Sequence, residues 1–93
     1  MEMTDAEINL AIAKLEYPET RNLKLWVEQN MVSFTNGWMD IGPIIEREKL
    51  SLMPCKDDRY QASKWVGDTL KTAYADTPTK AAALLFLKIR GVK

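Results

Sequence analysis

The segment from Asp76 to Gly91 constrains this chain more than any other, because it reads as a helix with almost no polar side. Asp76-Thr77-Pro78 supplies a cap and a proline at the first helical position. Lys88 and Arg90 fall in the last turn, where the helix dipole is negative, and Gly91 is a stop signal. Between these ends Ala82, Leu85, Phe86 and Ile89 make a core stripe, while Leu84 and Leu87 fall on nearly the opposite face at about 100° per residue. Such a helix must be covered on both sides. Either it lies between two layers of its own fold, or its outer face meets a partner and Leu84 and Leu87 form the interface of a homodimer. With 93 residues and 10.6 kDa, the chain has room for one compact domain, residues 1–93, and not for two cores.

The rest of the chain supplies what could pack on that helix. Thr4-Asp5-Ala6-Glu7 is a capping box, and Ile8, Ala11, Ile12 and Leu15 then lay an apolar stripe that ends at Tyr17-Pro18. From Glu19 to Asn36, Leu23, Leu25 and Val27, then Val32 and Phe34, alternate with other residues, which predicts extended structure. Asn36-Gly37 predicts a turn, and a helix is expected over about Ile41 to Lys49, with Asp40 as cap and Pro43 in the first turn. A short strand at Leu50 to Met53 is followed by a polar turn from Cys55 to Arg59. Tyr60–Val66 and Thr69–Ala75 form a hairpin around Gly67-Asp68. On that register Tyr60, Ala62, Lys64 and Val66 share one face and Gln61, Ser63 and Trp65 the other, which suits a sheet covered by helices on one side only. The expected fold class is α+β: a small antiparallel sheet of three or four strands with N-terminal, central and C-terminal helices.

Composition narrows the chemistry. Histidine is absent, which removes Ser-His-Asp and Cys-His catalysis and the commonest metal ligand. Cys55 is the single cysteine, so there is no intramolecular disulfide and no Cys-x-x-Cys site. Asp57 and Asp58 read as a solvated turn, and Glu46 and Glu48 point to different sides of their helix, so neither pair converges on a substrate. The four glycines fit no nucleotide fingerprint. The expectation is a protein that is not an enzyme and uses neither metal nor cofactor. Thirteen basic residues balance thirteen acidic ones, which disfavours a general polyanion binder. No basic leader run and no long apolar segment appear, so a cytoplasmic location without membrane contact is expected.

The string Gly42-Pro43-Ile44-Ile45-Glu46-Arg47-Glu48, the strand after it, the tryptophan-bearing hairpin and the Asp76-Thr77-Pro78 helix start together resemble small bacteriophage proteins of the NinX type and the related phage ABA-sandwich domain. The resemblance covers about Ser33 to Gly91. It implies an α+β domain encoded by a phage or prophage and acting in a bacterial host, and it implies no catalytic residue.

Two functions follow as expectations. The first is a protein-interaction module for a host or phage factor, with Glu46, Arg47, Glu48, Leu84 and Leu87 as contact candidates and the three tryptophans, Trp26, Trp38 and Trp65, as candidate anchors. Glu46 to Glu48 also fit a solvated face with Arg47 paired locally. The second is a nucleic-acid module built on the hairpin, in which Lys56, Arg59, Lys64 and Lys71 meet phosphates and Tyr60 or Trp65 stacks on bases. Asp57, Asp58 and Asp68 in the same turns oppose that reading.

Overall fold

A computed structural model describes residues 3–29 and 33–91. The elements run α1 (Asp5–Glu16), α2 (Leu23–Glu28), α3 (Trp38–Glu48), β1 (Ser51–Pro54), β2 (Tyr60–Val66), β3 (Thr69–Ala75) and α4 (Pro78–Ile89). The fold is α+β, with one antiparallel sheet of strand order β1-β2-β3. The hairpin has the expected strands, and Gly67 takes the positive φ, +64°, that its turn requires.

The sheet, α4, and the pair α1 and α3 form three successive layers. Helix α4 touches all three strands and also α1 and α3. Its expected caps are present: the Thr77 hydroxyl accepts from the Lys80 amide at 3.2 Å, and Pro78 opens the first turn. Of the two readings of this helix, the structure gives burial between layers. Leu87 is 2% exposed, and Leu84 is half-buried against the core. The pair is therefore not a free outer face for a partner, because both sides of α4 already carry layers of its own chain.

Three local expectations are corrected. Residues 23–28 are helical, not extended: Leu23 and Val27 are buried and Trp26 is half-buried, a spacing of three and four that the alternation of Leu23, Leu25 and Val27 had masked. Of the same predicted segment, Val32 lies outside the described residues. Helix α3 begins at Trp38 with Gly37 as its N-cap, so Pro43 stands inside it. Pro43 is exposed, and the Met39 carbonyl that it leaves without a helical donor belongs to an exposed residue open to water. Asp40 does cap a backbone amide, but that of Ser33 in the preceding turn, at 3.0 Å. Finally, α1 has its capping box with Thr4 and Glu7 but buries Ile8, Asn9, Ile12 and Ala13, while Leu15 is exposed.

Candidate functional site

Helices cover one face of the sheet, and the other carries the most distinctive surface among the described residues. The register places Leu52, Tyr60, Ala62, Lys64, Lys71, Ala73 and Ala75 toward the helices. The opposite face holds three rows across the strands: Met53, Gln61 and Tyr74; Ser51, Ser63 and Thr72; and Trp65 with Leu70. None of these eight side chains is charged, in a chain in which 28% of residues are. Trp65 is 66% exposed, Met53 54%, Tyr74 50% and Leu70 43%. An open face of this kind ordinarily alternates apolar-in with polar-out, so four large apolar groups on the outside mark a surface that departs from a solvated one.

The sheet edges are less available than its face. β1 has four residues and ends in Pro54, which has no amide to donate. On the other edge the Lys88 ammonium, reaching from α4, donates to the Thr72 carbonyl at 3.0 Å.

The residues singled out from Glu46 to Glu48 divide. Glu46 is exposed. Arg47 makes a bidentate pair with Glu16 of α1, at 2.9 and 3.0 Å, and its Nε donates to Glu48 at 3.1 Å. Glu48 also faces Lys64 of β2 at 3.5 Å and Arg90 at 3.7 Å. Both guanidinium groups sit over the Phe86 ring, at 5.9 and 5.2 Å. This network ties α1, α3, β2 and the end of α4 together and engages Arg47 and Glu48 within the fold, while the Arg47 side chain stays 48% exposed. Burial pushes the Glu48 carboxyl up, yet the Arg47 hydrogen bond and the charges of Lys64 and Arg90 hold it below its ordinary value. Bonding to Glu16 and Glu48 raises Arg47 further beyond its already high value. These contacts give Arg47 and Glu48 a structural part in the fold.

Of the basic and aromatic residues of the nucleic-acid reading, only Lys64 and Trp65 meet, at the rim of a shallow depression by the β1 edge; the rest are kept apart. Lys64, Lys71 and half-buried Tyr60 lie on the helix side of the sheet, while Trp65 lies on the open side. Lys56 and Arg59 belong to the turn before β2, about 20 Å along the strand from Trp65 at about 3.4 Å per residue. Of the other tryptophans, Trp38 is 54% exposed at the start of α3, and Trp26 packs against the core.

One polar cluster escaped sequence reasoning. Asn9 is buried in α1, where its Oδ1 accepts from the amides of Phe34 at 2.8 Å and Thr35 at 3.0 Å, and its Nδ2 donates to the Thr35 hydroxyl at 3.3 Å. The Thr79 hydroxyl of α4 donates to the Thr35 carbonyl. Residues 33–36 are thus clamped onto α1 and α4, and among the described residues the buried polar side chains are all partnered. An asparagine on a helix flank gives no signal of this, because its partners lie 25 and 26 residues away.

The class defined by these features is a small three-layer α+β domain with an uncharged, uncovered sheet face. No family model, curated protein or solved structure matches the chain.

Proposed function

We propose that this chain is a non-catalytic protein-interaction module of phage or prophage origin, acting on a host or phage protein in the bacterial cytoplasm, with the open sheet face as its docking surface. The observation that carries this reading is the set of eight uncharged side chains with Met53, Trp65, Leu70 and Tyr74 exposed among them. Interface centres are depleted in charge and enriched in tryptophan, tyrosine and methionine, and this face has that composition. A nucleic-acid strand would require free cations on the same face to meet its phosphates; the rows carry none, and Arg47 and Lys64 at their β1 border are paired with Glu16 and Glu48. The resemblance to NinX-type and ABA-sandwich phage proteins supports the phage setting.

A photo-crosslinking amino acid placed at Leu70, compared with one at Lys14 on the exposed side of α1, tests the reading in bacterial lysate with and without nuclease. Discrete protein adducts from position 70, absent from position 14 and unaffected by nuclease, are expected. Equal labelling from both positions, no adducts, or adducts that vanish with nuclease would overturn it.

A further inference from the structure

Resting only on the reading of the open face as a protein-docking surface, we propose that its occupant is a second copy of this chain in place of a host or phage protein, docked about a two-fold axis so that the Trp65–Leu70 ridge of each copy lies in the Ser51–Ser63–Thr72 groove of the other. The topography carries the idea. Successive rows of one sheet face are about 7 Å apart, at about 3.4 Å per residue. Here a row of small side chains, Ser51, Ser63 and Thr72, lies between two rows of bulky ones. At its β1 end this row borders a shallow depression lined by Ser51, Ser63 and Trp65 together with the charged side chains of Arg47, Glu48, Lys49 and Lys64.

A two-fold axis parallel to the sheet, running midway between the Trp65 row and the Ser63 row, exchanges the two. Each ridge then fills the opposite groove, and the Met53–Tyr74 row of each copy comes over the Gly67-Asp68 turn of the other. The match is reciprocal, as an isologous contact requires.

Chemistry and charge agree with that geometry. The Trp65 indole N–H is a donor, and the groove offers three hydroxyl acceptors. No charged side chain of either face meets a like charge, and the chain as a whole is neutral, with thirteen basic and thirteen acidic residues, so two copies approach without net repulsion. The charged groups at the β1 edge would form a wet rim. The edges are blunted by Pro54 and by the Lys88–Thr72 contact, so the copies meet by their faces and not by adding strands. Two strands of seven residues and one of four carry Trp65, Met53, Tyr74 and Leu70, each 43–66% exposed, beside the smaller side chains; these give each copy on the order of 500 Å² of corrugated surface, and a total of about 1,000 Å² reaches the lower bound for a specific interface. The dimer is therefore expected to be concentration-dependent across the micromolar range.

Sedimentation velocity over a concentration series reads this directly. The unmodified chain should double its mass as concentration rises. W65E and S63K should each raise the dimer Kd by at least about thirtyfold, with circular dichroism and melting unchanged, because both positions lie on the uncovered face. Mixing the two variants should restore dimers. In the mixed pair one contact sets the new carboxylate against the new ammonium, and the other keeps the original tryptophan in the original groove.

A chain that stays monomeric throughout, a dimer that both variants leave intact, or a mixture that stays monomeric would overturn the second-copy assignment. A monomer that still gives face-selective adducts to another protein from position 70 would sink this assignment alone. A monomer without such adducts would sink the interaction reading with it.

Discussion

Replacing Asn9 with leucine should cost this fold about 2–4 kcal/mol. The substitution keeps the heavy-atom count and the fork at Cγ, with bulkier methyl groups, but strands the amides of Phe34 and Thr35, both of which donate to Asn9 Oδ1 in a buried site. A buried donor left without a partner costs about 1–3 kcal/mol, so the pair gives roughly 2–6 kcal/mol, of which the added apolar burial returns about 1–2 kcal/mol. Thr35→Val makes the comparison sharper. It removes only the acceptor of the Asn9 Nδ2 bond and should cost about 1–2 kcal/mol. Urea unfolding provides the assay: the midpoint of N9L should fall well below that of T35V with little change in m-value. In thermal melts N9L should lose roughly 10–25 °C, given about 4–8 °C per kcal/mol for a domain of this size. Amide exchange at Phe34 and Thr35 should accelerate in N9L before global unfolding. An N9L protein within about 0.5 kcal/mol of the parent, or one whose Phe34 and Thr35 amides stay protected, would refute the claim that this asparagine pins the loop to α1 and α4.

Other consequences follow from single contacts. Gly37→Ala should destabilise by about 1–3 kcal/mol in chemical denaturation, because its new Cβ would stand 2.5 Å from the Ser33 carbonyl oxygen. The folded state holds Glu48 below its ordinary value of 4.5, so its stabilisation is present above that pH and lost as pH falls through the lower folded value. E48Q should therefore be less stable at neutral pH by about 1–2 kcal/mol and show a flatter acid limb in pH-dependent melts. L87E should fail to fold by circular dichroism, since it sets a carboxylate where the parent side chain is 2% exposed; a folded L87E would contradict the position of α4 as a middle layer.

The parts of the fold legible in the sequence were those whose information is local. The hairpin announced itself through Gly67-Asp68 and two flanking strands, and α1 and α4 through caps within three or four residues of their starts. The segment around α2 was ambiguous because Leu23, Trp26 and Val27 satisfy a helical period while Leu23, Leu25 and Val27 satisfy an extended one. Tertiary burial of Leu23 and Val27 decides between them. The candidate surface was half legible. Alternation set Trp65 beside Ser63 and Gln61, but the addition of Met53, Leu70 and Tyr74 depends on strand order and register, which no local pattern carries. The ion-pair network was still less accessible, since Glu16, Arg47, Lys64 and Arg90 meet around Glu48 and Phe86 only once four elements have assembled.

The middle position of α4 also sets a timetable. A ribosome adding about 5–20 residues per second needs roughly 4–15 s for residues 1–77, and until α4 follows neither the sheet nor α1 has the helix on which its apolar side rests. Nascent chains of this protein therefore dwell with two unmatched sticky surfaces before the piece that joins them exists. A message truncated before residue 78 would yield aggregation-prone fragments and not a smaller working domain, and holding chaperones would find their longest opportunity during that wait.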